Sequence, residues 1–168
     1  MPSMLDVVAA HADRDPTRLA LISEVDGVRT YGELAHRAAA FAVGLRAKLG
    51  LEAGARVCIW AVNRPEWVEA HLGAGAAGMA TVAANPEWTD SEIGYVLEHS
   101  ESAAVVCDGD LAARAVGLVK GSANLRYVVA MTGDGTPTPS GAVSFEEIIA
   151  GAPDDPRSAI PTDDTRPS

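Results

Sequence analysis

The order of apolar and polar positions predicts alternating helices and strands along most of the chain. Apolar residues three or four positions apart predict an amphipathic helix over residues 31–49; they are Leu34, Ala38, Phe41, Leu45 and Leu49. Mostly apolar runs then predict strands at residues 57–62, 79–84, 103–107 and 125–131. Apolar runs without alternation are typical of a parallel sheet with helices on both faces. The pattern therefore predicts an α/β fold with a mostly parallel sheet.

The first thirty residues predict a helix and a hairpin. The helix covers residues 4–11 and ends before Pro16. Two short segments, residues 19–22 and 28–30, flank Asp26-Gly27, a dipeptide typical of two-residue hairpin turns. We therefore expect an antiparallel pair of strands ahead of the long helix.

Capping signals mark where several helices begin. Three Ser or Thr residues precede a Glu by three positions, which is the spacing of a capping box; the pairs are Thr30 with Glu33, Thr89 with Glu92, and Ser144 with Glu147. The last box predicts a short helix through Ile149. Asn63 is predicted to cap a further helix that has Pro65 in its first turn, and residues 110–119 are predicted to form a short helix.

Composition narrows the class of protein. The chain has 168 residues, of which 48% are hydrophobic and 21% charged, as in globular domains. Its formal net charge of −10 argues against a nucleic acid or an anionic membrane surface as partner, because both require clustered Lys and Arg. The N-terminus lacks the basic and apolar segments of a secretory signal, and no apolar run approaches a transmembrane span. We expect a cytoplasmic protein.

Residues 73–78 read GAGAAG, which matches the G-x-G-x-x-G of dinucleotide-binding folds. That fingerprint follows a strand and opens a helix, whereas here a predicted helix precedes the glycines and a predicted strand follows them. Glu98 stands near the position of the ribose-binding acidic residue, but within a predicted helix. We favour the interpretation that small residues at a helix end pack closely on the sheet. A small dinucleotide-binding domain built on Gly73 to Gly78 is the weaker alternative.

Other side chains with chemical potential suggest structural roles. The four histidines are scattered over predicted helices without metal-ligand spacing; they are His11, His36, His71 and His99. Cys58 and Cys107 lie in separate apolar runs and are expected to be buried thiols. Asp108-Gly-Asp110 ends a predicted strand, where open α/β sheets bind ligands, but capping the next helix is the favoured role. The residues alone therefore predict no catalytic, cofactor-binding or metal-binding residue.

The C-terminal part of the sequence changes in character. Residues 132–142 are rich in Gly, Pro, Ser and Thr and predict an exposed loop. From Gly151 onward the sequence has four prolines and no periodic apolar pattern, which predicts a tail or linker. We expect one domain over residues 1–150, followed by a Pro- and Asp-rich tail over residues 151–168.

The order of several short motifs resembles the N-terminal portion of the AMP-forming adenylate-forming enzymes, and most closely the fatty-acid–CoA ligases. The motifs are Thr30-Tyr-Gly-Glu-Leu34, Ala53-Gly-Ala-Arg-Val57, Ile59-Trp-Ala-Val-Asn-Arg-Pro-Glu-Trp67, Ala77-Gly78, Asn85-Pro86 and Glu92-Ile-Gly-Tyr95. The resemblance is clear over residues 19–107 and looser over residues 126–164. Two positions depart from the family pattern, because Ala55 replaces a usual Asp and Ala83 a usual Pro.

The resemblance implies a partial N-terminal subdomain of the adenylate-forming fold. In the family, a Ser/Thr/Gly-rich phosphate loop follows an Asp pair like Asp163-Asp164, whereas this sequence continues with Thr165 to Ser168. We therefore expect residues 1–168 to lack that loop, the adenine and magnesium motifs and the catalytic C-terminal domain. None of the family's catalytic residues can be carried onto a position here.

The implied activity of the full-length family is activation of a carboxylate by ATP and transfer of the acyl group to coenzyme A. We expect residues 1–168 to be inactive alone and to need no cofactor, although ATP, Mg and CoA serve the full-length family. The alternative is a non-catalytic binding module or a subunit that docks with a separately encoded remainder. The expected partners are that remainder or a second copy, bound through exposed apolar surface.

Overall fold

A computed structural model describes residues 3–24, 27–133 and 135–160. The helices and strands in chain order are α1 (Met4–Arg14), β1 (Leu19–Ser23), β2 (Gly27–Thr30), α2 (Tyr31–Ala47), β3 (Arg56–Trp60), α3 (Pro65–Ala76), β4 (Ala80–Ala84), α4 (Asp90–His99), β5 (Ser102–Asp108), α5 (Ala112–Val119), β6 (Tyr127–Met131), β7 (Val143–Ser144) and α6 (Phe145–Ile149). A 3₁₀ turn, Pro156–Ala159, follows α6. None of the helices in these described ranges is long and apolar enough to cross a membrane.

The five strands β3 to β7 form one parallel sheet in the order β4-β3-β5-β6-β7. Cys58 at the middle of β3 is paired with Val82 on one side and Val105 on the other. The predicted α/β fold with a parallel sheet is confirmed. The short strand β7 comes directly after the predicted loop of residues 132–142, and the pattern of apolar residues did not predict this strand.

Helices cover both faces of this sheet because the strand side chains alternate between two apolar cores. On β3, Val57 and Ile59 contribute to the core under α2 and α3, whereas Cys58 and Trp60 contribute to the core under α4 and α5. In the first core, the rings of Phe41 and Phe145 stack with their centroids 4.6 Å apart. Full burial of a large apolar side chain contributes about 1.5–3 kcal/mol, so these two cores dominate the stability of the sheet.

The three predicted capping boxes are present. At the start of α2, the N–H of Glu33 donates to Thr30 Oγ1 at 3.2 Å, and the N–H of Thr30 donates to Glu33 Oε2 at 2.8 Å. The same reciprocal pair opens α4 and α6. A fourth box, in which Asp6 takes the place of the usual Glu, opens α1 behind Ser3. The sequence did not predict this box because the usual pattern has Glu or Gln at the position of Asp6.

Two predicted caps are wrong. The residue at the cap of α3 is Arg64 rather than Asn63, and no side chain caps that helix. Helix α5 begins after Leu111, again without a side-chain cap, so the Asp108-Gly-Asp110 segment does not cap it. In the first case Pro65 fixes the helical backbone and removes one N–H, which lowers the need for a capping acceptor.

The predicted hairpin is also present, as the antiparallel pair β1 and β2. Gly27 of the predicted turn has φ = +77°, while Asp26 lies outside the described residues. The first part of the predicted tail, residues 151–160, includes the 3₁₀ turn, in which Pro156 is buried. The domain boundary at residue 150 stays a prediction.

Candidate functional site

The sheet defines one natural place for a ligand. Counted in chain order, its strands are arranged 2-1-3-4-5. The two strands that follow β3 in the chain, β4 and β5, therefore lie on opposite sides of it. In doubly wound α/β sheets, ligands bind in the crevice at the carboxyl ends of the two strands where the order reverses. Here that crevice lies between the end of β3 and the end of β5.

Three buried charged side chains meet at this crevice. Arg64 Nη1 lies 3.1 Å from Asp108 Oδ1, and Arg64 Nε lies 3.1 Å from Glu66 Oε2. The second oxygen of Asp108 accepts the backbone N–H of Val62 at 2.8 Å. Burial raises the pKa of Asp108, and its bonds to Val62 and Arg64 oppose that rise. The cluster thus joins the ends of both strands to the start of α3.

The loop after β6 closes over the same cluster. A Cβ on Gly133 would lie 2.9 Å from Glu66 Oε1, so the loop backbone lies directly against this carboxylate. The crevice is therefore occupied by side chains that bond to one another. The predicted capping role of Asp108 is replaced by this charge cluster, because its carboxylate points back to β3 and not forward to α5.

The carboxyl end of β4 is fixed by Trp60. The indole N–H of Trp60 donates to the carbonyl of Asn85 at 2.9 Å. The guanidinium of Arg114 lies 4.8 Å from the centre of the Trp60 ring and bonds to Asp90 Oδ1 at 2.7 Å. A cation over an indole face is attracted by the ring's electron density. These contacts hold the Asn85-Pro86 turn against β3 and α5.

The glycine-rich segment is the end of α3, as the sequence predicted. Residues 73–76 form its last turn, and Gly78 with φ = +77° turns the chain toward β4. A helix C-terminus presents carbonyl oxygens and a partial negative charge, which disfavours a pyrophosphate. The packing partner differs from the prediction, because Gly73 lies against α2 rather than against the sheet. A Cβ there would lie 2.5 Å from the carbonyl oxygen of Ala38.

The remaining predicted candidates do not converge. His71 Nδ1 bonds to Thr81 Oγ1 at 2.8 Å, while His11 and His99 pack on tyrosine rings. Cys58 and Cys107 are buried free thiols, and burial raises the pKa of Cys58 to about 12. Within the described ranges, no group of three or more His, Cys, Asp or Glu residues has the arrangement of a metal site.

Sequence reasoning missed a second buried charge network. Glu69 on α3 is fully buried and bonds at 2.9 Å to Arg29 on β2 and at 2.9 Å to Arg37 on α2. Arg37 also bonds to Glu146 on α6 at 2.6 Å. Burial raises the pKa of Glu69, and the two guanidinium groups oppose that rise. One signal was available, because Glu69 stands one turn before Gly73 and therefore on the helix face that packs against α2.

Taken together, the fold and the crevice define a doubly wound α/β unit whose ligand-binding edge is filled by its own ion pairs. A sequence model of the AMP-binding enzyme family, described as "AMP-binding enzyme", matches residues 8–164. The chain belongs to this family, and the predicted family is confirmed.

Similar proteins include several acyl-CoA ligases. A medium-chain acyl-CoA ligase of Danio rerio is 35% identical over 99 residues, which is 58% of this chain and 16% of that protein. A long-chain-fatty-acid–CoA ligase of Mycobacterium tuberculosis is 32% identical over 133 residues, which is 77% of this chain and 22% of that protein. The chain thus spans about a fifth of the length of such relatives.

Solved structures of the same class share the fold. A benzoate CoA ligase from Burkholderia xenovorans superposes with a TM-score of 0.76 at 28% identity, over 90% of this chain and 29% of that chain. A long-chain-fatty-acid CoA ligase from Rhodopseudomonas palustris, described as putative, superposes with a TM-score of 0.78 over 90% of this chain and 37% of that one. At 24% identity the second likeness concerns the fold alone.

Proposed function

We propose that residues 1–168 form the N-terminal part of an ATP-dependent acid–CoA ligase. The observation that carries this proposal is the match of the AMP-binding family over residues 8–164, together with relatives that are acyl-CoA ligases. In that reaction a carboxylate oxygen attacks the α-phosphorus of ATP and pyrophosphate leaves. The thiol of coenzyme A then attacks the acyl carbonyl, and AMP leaves.

In this proposal the segment acts as scaffold, and residues 1–168 alone form no acyl-adenylate. The support is the chemistry of the described crevice, where Arg64 is bonded to Asp108 and Glu66. Catalysis of phosphoryl and acyl transfer depends on preorganised groups that stabilise the charge that develops. Arg64 is a cation, but its bonds to two buried carboxylates already oppose its charge. ATP, Mg and coenzyme A would act in the complete ligase.

Carboxylate-dependent exchange between ATP and pyrophosphate tests this proposal. Purified residues 1–168 should show no exchange with fatty or aromatic acids. A chimera in which the 168 residues replace the matching segment of the Mycobacterium tuberculosis ligase should exchange. Exchange by the isolated chain would contradict the inactivity, and a well-folded but inactive chimera would contradict the ligase assignment.

A non-catalytic docking module is the second candidate. One observation favours it, namely the apolar outer face of the hairpin β1–β2, where Ile22 is 75% exposed. A module of this kind would bind a ligase polypeptide without taking part in catalysis. The two candidates are distinguished by the chimera, since a module that only docks does not restore exchange when it replaces part of the enzyme.

A further inference from the structure

The segment that follows α6 packs back onto the body of the protein. This segment, residues 151–160, contains the 3₁₀ turn, which contacts α2. Pro156 of the turn is buried, and Ile160 packs against the core under α2 and α3. The hydroxyl of Ser158 donates to the carbonyl of Asp155 at 2.8 Å and so fixes the turn itself. Residues 151–160 therefore form a folded segment, here called the strap.

An ion pair joins the strap to helix α1. Arg157 Nη2 lies 3.0 Å from Asp13 Oδ1, and the two side chains are 41% and 61% exposed. The hydrogen bond from Arg157 to Asp13 raises the pKa of the guanidinium. Arg157 Nε also lies 3.8 Å from Asp155, but that contact stays within the strap. The pair with Asp13 thus connects the first helix of the chain with the last segment that the structure describes.

Asp13 stands where an isolated helix disfavours an acidic residue. It lies in the last turn of α1, one residue before Arg14, at which the helix ends. The carbonyl oxygens at a helix C-terminus carry a partial negative charge, which repels a nearby carboxylate. The guanidinium of Arg157 opposes this repulsion because it lies directly against the carboxylate. The ion pair therefore stabilises α1 as well as the strap.

Helix α1 is attached to the rest of the fold by a small apolar area. Its buried residues are Leu5, Ala9 and Ala12. The two alanines form a small cluster with Ala35 on α2, and the side chain of alanine buries much less apolar surface than that of leucine. A helix with few buried apolar contacts opens locally at a lower free energy than the whole domain unfolds. A single added contact at its end therefore matters for α1.

The strap is attached at few points as well. A cavity of about 310 Å³ lies beside it, with Ala12, Gly32 and Ala35 on the side of the two helices and Asp154 and Pro156 on the side of the strap. Side chains that face open space lack packing partners there. The strap is therefore also expected to open locally, before the sheet and its two cores unfold.

We propose that α1 and the strap form a releasable latch, in which the closed position of each segment stabilises the other. The ion pair between Asp13 and Arg157 couples the two segments, and buried Pro156 seats the strap on α2. Coupling of this kind is reciprocal, so displacement of the strap loosens α1, and loss of α1 from its place loosens the strap. The latch lies within the described ranges and does not rest on the proposed function.

The experiment is a double-mutant cycle in the full 168-residue chain. Arg157→Gln, Asp13→Asn and the combination of both are compared with the unchanged chain. Arg114→Gln is the matched control, because Arg114 also bonds to an aspartate, Asp90, at 2.7 Å, and the two side chains are 37% and 63% exposed. Circular dichroism verifies that each variant is folded, as the exposure of the substituted side chains leads us to expect.

Hydrogen exchange is followed for three segments, namely residues 4–14, 90–99 and 151–160. We expect Arg157→Gln to speed exchange of residues 4–14 and 151–160 together by about two- to fivefold, which corresponds to the loss of one exposed ion pair. Residues 90–99 should be unchanged. When Asp13→Asn is already present, Arg157→Gln should no longer change the exchange of residues 4–14, because its partner on α1 is uncharged.

Two results would overturn the latch by showing that the segments are independent. The first is faster exchange of residues 151–160 in Arg157→Gln with no change in residues 4–14. The second is an equal effect of Arg157→Gln on residues 4–14 with and without Asp13→Asn, since the guanidinium would then act through another contact. The control gives a third contrary result if Arg114→Gln speeds exchange of residues 4–14 as much as Arg157→Gln does, because the effect would then reflect a general loss of stability.

Discussion

Glu69 and Arg37 lie 32 residues apart in sequence and form an ion pair of 2.9 Å in which the carboxylate is fully buried. Because Glu69 also bonds to Arg29, one side chain joins α3 to α2 and to the hairpin. The two ion pairs explain how the carboxylate of Glu69 is tolerated in the interface between α3 and α2, where the other buried residues are mostly small or apolar.

Replacement of Glu69 by Ala should destabilise the chain by about 3 kcal/mol, because it leaves two guanidinium groups without their buried acceptor. Urea unfolding followed by Trp fluorescence measures the change. Glu146→Ala is the control, since Glu146 is 53% exposed and its pair with Arg37 should contribute less than about 1 kcal/mol. Equal costs for the two variants would contradict the role given to Glu69.

The two glycines at the end of α3 should respond to Ala in opposite directions. Gly73→Ala should cost about 1–3 kcal/mol, because the new Cβ would overlap the carbonyl of Ala38 on α2. Gly75→Ala should stabilise by about 0.5–1 kcal/mol, because a Cβ there meets open space and Ala is the better helix former. Thermal denaturation of both variants is the measurement. A stabilising Gly73→Ala would show that α2 and α3 are not in close contact.

The capping glutamates predict how stability falls in acid. Bonds from the backbone N–H and hydroxyl of the capping residue lower the pKa of Glu33, Glu92 and Glu147. A lowered pKa in the folded state gives stability that is complete above the unfolded value near 4.3 and is lost as pH falls through the folded value. We expect the carboxyl chemical shifts of these three residues to titrate at lower pH than those of an exposed glutamate without a capping partner. The variant Thr89→Val removes the hydroxyl bond but keeps the backbone N–H, so it should raise the pKa of Glu92 only part of the way and leave Glu33 and Glu147 unchanged.

The two buried thiols should be unreactive until the chain unfolds. With the pKa of Cys58 raised to about 12, only about one thiol in ten thousand is ionised at pH 8, and the thiolate is the reacting form. Reaction with a chromogenic disulfide reagent should therefore be slow in native buffer and complete within the dead time in 6 M guanidinium. The Cys107→Ala variant reports on Cys58 alone. Fast reaction of that variant under native conditions would contradict the burial of β3.

Much of the fold could be predicted because its signals are local. The helix over α2 follows from the spacing of Leu34 to Leu45, and the capping boxes follow from Thr30, Thr89 and Ser144. The parallel sheet follows from apolar runs without alternation. The family resemblance followed from the order of short motifs, which also needs no three-dimensional information.

The candidate site was harder to predict because it depends on contacts between distant residues. Arg64 and Asp108 are 44 residues apart, and neither has a local pattern that names the other as partner. A local rule suggested a capping role for Asp108, but the tertiary contact was stronger. The sequence correctly predicted that the glycine motif lies at the end of a helix. It did not predict that Gly73 packs against α2, because sequence spacing does not determine how α2 crosses α3.

The bond between Asp108 and the N–H of Val62 also has a consequence for the order of folding. It joins the end of β5 to Val62, two residues after the end of β3, so it forms only after β3 and β5 have paired across the intervening α3, β4 and α4. Contacts of such long sequence separation carry the entropy of closing a large loop. We expect the carboxyl edge of the sheet to become ordered late, after the helices that surround it.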